Sequence, residues 1–174
     1  EDKTGLKKNS LFGTEVDQTQ ASIEEFSAKI RSGKAAQQTD EFMIFARIES
    51  LVLGKGLEDG LMRARAFLDA GADGIMIHSK KECPTEIFEF CEQYNQFPDK
   101  KPLIAVPSSY NAVTEDELSA HGVNIVIYAN QLLRSAYPAM VAAAESILLN
   151  GRSFEINSKI MPITEVLNLI PGAK

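Results

Sequence analysis

The apolar residues of this chain fall into short runs separated by amphipathic stretches, and the alternation is regular from residue 22 onward. Ile23, Phe26 and Ile30 recur at helical spacing behind Ser22, with Glu24 and Glu25 in the first turn and Gly33 as a stop. Ser22 and Glu25 stand at capping-box spacing. Phe42 to Ala46 then reads as a strand buried on both faces, ending in Arg47-Ile48-Glu49-Ser50. Leu57 to Ala70 predicts a helix with Leu61, Ala64 and Leu68 as its stripe and Gly71 closing it. Gly74 to Ile77 is a second strand, ending in His78-Ser79, and Pro84 opens a helix through Ile87, Phe88, Cys91 and Tyr94. Pro102 to Val106 is a third strand, ending in Pro107-Ser108-Ser109. A short helix from Thr114, with Glu117 at capping-box spacing, runs to His121-Gly122. Val123 to Tyr128 is a fourth strand, ending in Ala129-Asn130. Leu132 to Leu149 predicts a long alanine-rich helix, kinked or restarted at Pro138 and ended by Gly151. A last helical turn spans Thr164 to Leu169, whereas the first twenty residues are polar, broken by Gly5 and Gly13, and read as a loop.

Four near-continuous apolar strands alternating with helices imply crossover connections, hence a parallel sheet with helices on its faces. No glycine-rich phosphate fingerprint follows any strand, so a barrel of the (β/α)8 type fits better than a doubly wound sheet. A complete barrel takes about 250 residues. With 174 residues the chain accommodates roughly the last four βα units and a helical tail. The expected division is a barrel portion over 1–150 and a tail over 151–174 that packs on a neighbouring subunit.

Composition narrows the function classes. Eighteen basic against twenty-four acidic residues give a net charge of −6, the wrong sign for a nucleic-acid or anionic-membrane surface. No run approaches ~18 apolar residues, so no membrane span is expected. No leader sequence is recognisable, and Cys83 and Cys91 lack a CxxC spacing. Free thiols and a cytoplasmic location are the expectation.

In parallel α/β folds the chemistry gathers where strands end. Here those ends carry Arg47 and Glu49, His78 and Ser79, Ser108 and Ser109, and Asn130, a set able to bind a compact anion such as a phosphoryl group or a carboxylate. Each also has a structural reading: Arg47 as an ion-pair partner of Glu49, His78 as a core histidine, His121 as a helix C-terminal partner, Cys83 as a structural thiol, and Lys80-Lys81 as a solvated face. In the opening segment a carboxylate, Glu1, precedes a glycine-bounded stretch with Lys7, Asn9 and Ser10. A lysine and an amide on such a loop can close over an anionic substrate.

The opening residues Glu1-Asp2-Lys3, then Lys7, Asn9 and Ser10, resemble the gating-loop signature of the phosphoenolpyruvate mutase and phosphonopyruvate hydrolase family, within the isocitrate lyase superfamily. Ala46-Arg47-Ile48-Glu49-Ser50, Ala70-Gly71-Ala72-Asp73-Gly74, Met76-Ile77-His78-Ser79, Val106-Pro107, Ala129-Asn130 and Leu133-Arg134 agree in order and spacing. Carbon–carbon lyases of that superfamily carry a catalytic cysteine in a KKCGH-type loop. The corresponding stretch here, Leu6-Lys7-Lys8-Asn9-Ser10, has none.

The resemblance implies a Mg2+-dependent barrel that interconverts phosphoenolpyruvate and phosphonopyruvate. It assigns Lys7, Asn9, Arg47 and His78 to the phosphoryl group, Ser10 to shaping the loop, and Glu1 to a metal-bound water. In relatives the primary metal ligands are aspartates and a serine on the first four strands. Asp2, Asp17 and Asp40 are misplaced for that task, so the 174 residues alone are expected to lack a complete metal site and turnover. The alternatives are phosphonopyruvate hydrolase, a carbon–carbon lyase, or a non-catalytic half-barrel. Family members resemble homodimers or homotetramers that exchange a carboxy-terminal helix.

Overall fold

The structure, a computed structural model, describes residues 1–4 and 18–172. It comprises two compact units, Glu1–Ala129 and Asn130–Lys174. The division falls before the long helix, not at 150/151, because that helix packs with the 3-10 segment Phe154–Lys159.

Unit one holds the alternation expected from sequence. Two short strands, β1 (Lys3–Thr4) and β2 (Thr19–Gln20), pair antiparallel. Helix α1 (Ile23–Ala35) follows, started by Ser22, whose Oγ accepts from the Glu25 amide at 3.1 Å. Then come β3 (Phe45–Ile48), α2 (Leu57–Asp69), β4 (Gly74–Ile77), α3 (Thr85–Tyr94), β5 (Leu103–Ala105), α4 (Glu115–Ala120) and β6 (Ile125–Val126). Strands β3 to β6 form one sheet in that order, every pair parallel. Thr114 and Glu117 close a reciprocal capping box on α4.

Register explains how the sheet sorts its residues. Ala46, Ile48, Ile75, Ile77, Leu103 and Ala105 share one face of the sheet, with α2 packed against β3 and β4 and α3 packed against α2. They pack with Ala64, Phe67, Ile87 and Phe90, all fully buried. The opposite face carries Phe45, Arg47 and Glu49 on β3 and its extension, with Gly74, Met76 and His78 level with them on β4.

Two strands differ from the sequence reading. The first starts at Phe45 rather than Phe42, and Phe42 and Met43 are 63% and 48% exposed. Two side chains take the hydrogen bonds there in place of a neighbouring strand: Gln37 donates to the Phe42 carbonyl, and the Ile44 amide donates to Asp73 Oδ2 at 2.7 Å. The strand therefore extends through Arg47 to Ile48, placing the arginine within the sheet. The fourth strand shrinks to Ile125–Val126, with Ile125 41% exposed. A polar opening stretch read as loop also contains the β1–β2 stem, too short to leave a periodic signal.

Unit two is α5 (Gln131–Asn150), the 3-10 segment and α6 (Ile163–Leu167). Helix α5 runs through Pro138 without a restart and ends at Gly151. By length and composition it would suffice to cross a bilayer, although Arg134 and Glu145 lie within it.

Candidate active site

The carboxyl ends of β3 and β4 carry a tight ionic cluster. Arg47 Nε donates to Glu49 Oε1 at 2.6 Å and lies 3.5 Å from Glu1 Oε2. The second Glu49 oxygen faces Lys3 Nζ at 3.5 Å. Glu49 and Lys3 are buried, whereas Arg47 keeps about a third of its side chain in solvent. Backbone register brings these groups together. Asp2 N donates to the Arg47 carbonyl at 3.0 Å, so the Glu1-Asp2-Lys3 stretch lies along the end of β3. Successive side chains of an extended stretch point to opposite sides. Glu1 and Lys3 accordingly reach the Arg47–Glu49 pair, while Asp2 turns away into the interior.

His78 follows β4, level with Glu49, and is buried. Burial pushes its imidazole below the usual histidine range; the positive charges of Arg47 and Lys3 add to this, and Glu49 and Glu1 oppose it. It is held neutral at neutral pH, with Nδ1 buried and lacking a hydrogen-bond partner among the described residues. A neutral ring with a buried open position suits hydrogen bonding to a ligand oxygen.

The sequence-derived site thus divides cleanly. Glu1, Arg47 and His78 converge. Lys7, Asn9 and Ser10 lie outside the described residues. Ser79 serves its own turn instead, donating to Glu86 and accepting from the Lys81 amide at 3.0 Å. Lys81 pairs with Glu86 as well. His121 caps α4, with Nδ1 2.8 Å from the Glu117 carbonyl oxygen, and stacks on Phe88 at 3.8 Å. Asn130 opens the second unit.

Sequence reasoning missed the underpinning. Asp2, rejected as a metal ligand, is a fully buried anchor: Oδ1 accepts from the Glu49 amide at 3.0 Å, and Oδ2 accepts from Gln20 Nε2 at 2.8 Å and Arg63 at 3.2 Å. Arg63 carried no signal beyond its spacing of four from Asp59, which on a helix usually marks a surface pair.

The carboxylates present do not fit a metal site by themselves. Both oxygens of Asp2 and both of Glu49 are already taken by cationic or N–H donors. Among the described residues no three potential ligands gather at one point. Glu1 lies at the cluster's rim, partly exposed, with Oε2 3.5 Å from Arg47 Nε.

A family-wide profile described as phosphoenolpyruvate phosphomutase matches residues 1–148. The phosphoenolpyruvate phosphomutase of Tetrahymena pyriformis is 38% identical over 169 residues, which is 97% of this chain and 55% of that protein. Among solved structures, a phosphoenolpyruvate phosphomutase from Streptomyces platensis subsp. rosaceus superimposes with a TM-score of 0.89 at 37% identity, covering 97% of this chain and 57% of the other. A phosphonopyruvate hydrolase in complex with oxalate and Mg++ gives 0.81 at 34% identity, covering 97% and 56%. The chain spans about half the length of these relatives. With that extent of match across the sheet, the ionic cluster and its flanking motifs, the chain belongs to the phosphoenolpyruvate phosphomutase family.

Proposed function

We propose that the protein containing this chain interconverts phosphoenolpyruvate and phosphonopyruvate. In that reaction the bond from phosphorus to the enol oxygen breaks and the C3 carbon of pyruvate enolate supplies the electron pair for a new P–C bond. Such a transfer asks for positioning and charge stabilisation rather than covalent help. The observation that carries the reading is the convergence of Glu1, Lys3, Arg47, Glu49 and neutral His78 in a chain of this family.

The cluster also suggests a division of labour. Glu1 and Glu49 offset Lys3 and Arg47, so these four groups are electroneutral together. Their pairing fixes the Arg47 guanidinium in one place, where it can meet a phosphoryl oxygen as a rigid fork. His78 offers a neutral hydrogen bond rather than charge. Excess positive charge for the dianionic phosphoryl group then comes from Lys7, with Asn9 donating a neutral hydrogen bond and Ser10 shaping the loop. Magnesium, when bound, would neutralise charge on the substrate. Glu1 would meet its water shell, and the primary ligands lie outside the residues described here. A (β/α)8 barrel, of which residues 1–129 supply four strands, is the architecture that brings such ligands to the same rim.

Phosphonopyruvate hydrolase is the second reading, favoured by likeness in sequence and in structure to proteins of that name. The absence of cysteine from Leu6 to Ser10 disfavours the carbon–carbon lyases. Incubating the full-length protein with phosphonopyruvate and Mg2+ under phosphorus NMR separates the first two, and parallel incubations with 2-methylisocitrate and with oxaloacetate, read for their cleavage products, test the third. Phosphoenolpyruvate supports the mutase, pyruvate with phosphate supports the hydrolase, and cleavage of 2-methylisocitrate or oxaloacetate overturns both.

For unit two we infer a second copy of the chain as the neighbour. Leu132, Leu133, Leu148 and Leu149 of α5 and Ile163 and Ile170 beyond it are more than two-fifths exposed, a density of apolar surface that soluble proteins cover. A bilayer fits less well, since Glu145 would place a carboxylate inside the span. Sedimentation as a dimer or tetramer is the expected result. Free thiols at Cys83 and Cys91 accord with a reducing, cytoplasmic setting.

A further inference from the structure

The most developed polar network outside the ionic cluster lies directly beneath it. Arg63, on α2, is 8% exposed, and its guanidinium makes three directed contacts. Nε donates to Asp59 Oδ2 at 2.9 Å; Nη1 donates to Asp2 Oδ2 at 3.2 Å and to the Ala21 carbonyl at 2.9 Å. Asp59 Oδ2 also accepts from Ser50 Oγ at 2.6 Å. Gln20 Nε2 joins the two halves, donating to Asp2 Oδ2 at 2.8 Å and to Ser50 Oγ at 3.1 Å.

The contacts gather on one object. Asp2 precedes β1 and Ala21 follows β2, so a single side chain from α2 grips both strands of the hairpin at its base. Asp2 itself is bonded to β3 at two points, through its amide to the Arg47 carbonyl and through Oδ1 to the Glu49 amide at 3.0 Å. The Ala21 amide donates back to the Asp2 carbonyl at 2.7 Å. The residues on either side of Asp2 are Glu1 and Lys3, and those either side of Ile48 are Arg47 and Glu49. The four members of the ionic cluster are thus the immediate chain neighbours of the atoms this network fixes.

We infer that Arg63, oriented by Asp59, is a positioning residue for the active site: through Asp2 it sets where Glu1 and Lys3 stand against Arg47 and Glu49. This assignment rests on the phosphomutase reading above. Arg63 reaches the cluster through Asp2, so it acts on turnover by geometry and leaves substrate affinity alone. Displacement of reacting groups by about 1 Å can cost up to ~100-fold in rate. Lysine at this position would keep the charge, but one ammonium cannot reproduce a planar fork that spans Asp59, Asp2 and the Ala21 carbonyl.

The test uses the full-length protein and the variants Arg63→Met, Arg63→Lys, Asp2→Asn and Arg63→Met/Asp2→Asn. Lys34→Met is the comparison, since it removes a surface-lying ion pair to Asp73 at the far end of the strands. Steady-state turnover of phosphonopyruvate and amide hydrogen exchange are both read below the unfolding temperature. For Arg63→Met the expected result is kcat lowered about 10- to 100-fold with KM within about twofold. Arg63→Lys is expected to recover part of that loss and provides the measurement if the methionine variant does not fold. The Glu49 and Ala21 amides, both bonded to Asp2, should exchange about tenfold faster in either variant while Lys34→Met leaves them unchanged. The double variant should be no slower than the worse single variant. Unchanged kcat alongside a stability loss like that of Lys34→Met, or additive effects of Arg63 and Asp2, would overturn the inference. If the wild-type protein turns over neither phosphonopyruvate nor phosphoenolpyruvate, the phosphomutase reading fails. The exchange measurement then still decides the link, faster Glu49 exchange in the Arg63 variants supporting it and unchanged exchange sinking it.

Discussion

The Ala70-Gly71-Ala72-Asp73-Gly74 turn contains two glycines that the structure needs for different reasons, and substitution separates them. Gly71 closes α2 with φ of +100°, a backbone region that L side chains rarely adopt, but a Cβ there would meet nothing nearer than Lys34 Cγ at 3.4 Å. Its requirement is conformational. Gly74 opens β4, where a Cβ would sit 2.3 Å from Phe45 Cε1 and 2.6 Å from the Pro102 carbonyl oxygen. Its requirement is space, and the ring alone cannot relieve it, because the Pro102 carbonyl accepts the Ile75 amide at 3.0 Å and belongs to the sheet.

Alanine at 71 should therefore cost about 1–2 kcal/mol, the ordinary penalty for a left-handed residue. Alanine at 74 combines overpacking, about 1–3 kcal/mol, with a weakened ladder bond worth about 0.5–1.5 kcal/mol. About 2–4 kcal/mol is expected there. Asparagine distinguishes the causes, since it tolerates positive φ better than alanine but is larger. Gly71→Asn should be milder than Gly71→Ala, and Gly74→Asn harsher than Gly74→Ala. Urea denaturation of the four variants measures this, and with a slope of about 2 kcal/mol/M the Gly74→Ala midpoint falls by roughly 1–2 M. The same rank order at both positions, or a Gly74→Ala loss below about 0.5 kcal/mol, would refute the reasoning.

Other outcomes follow from the same geometry. Burial raises the Asp73 carboxyl, but hydrogen bonds from Lys34 and the Ile44 amide, with the Lys34 and Lys101 charges, outweigh it and leave the group below its ordinary 3.8. Its stabilising contribution is present above that value and is lost as pH falls through the lowered folded value; melting temperatures of wild type and Asp73→Asn should converge on acidification, and curves parallel to low pH would contradict this. His78 is lowered from 6.5, chiefly by burial, so the unfolded chain takes up its proton first and the fold loses stability as pH drops below about 6.5. Nitrogen NMR should place its midpoint under that value, and a midpoint above it would rule out the neutral role. Cys83 is exposed and its thiol is lowered by bonding to Thr85, whereas burial pushes Cys91 up to about 12. Iodoacetamide should label Cys83 alone in the native state, and equal labelling by mass spectrometry would show that Cys91 is not enclosed. Phe67→Ala, which removes a fully buried ring 4.8 Å from Phe26, should cost about 3–5 kcal/mol in the same denaturation assay, and a loss under 1 kcal/mol would contradict its place in the core.

What the sequence by itself determined was local. Continuous apolar runs require burial on both faces, which for strands means a parallel sheet under helices, and the three parallel ladders from β3 to β6 follow. Capping residues such as Ser22 and Thr114 act within three positions, so their helices start where the spacing places them. His78 was legible as a strand-end residue for the same reason, since it directly follows β4, whereas Arg47 was found one residue inside the end of β3. Tertiary structure decided everything that depends on distant partners. Phe42 is as apolar as Phe45, yet the Thr39 carbonyl and the Gln37 side chain take its backbone hydrogen bonds outside the sheet. Asp2 and Arg63 read as ordinary solvated charges, yet they meet across 61 positions and are buried because each completes the other's hydrogen bonds. Burial of a charge is affordable only when its counterpart is present, and no local pattern along the chain carries the position of that counterpart.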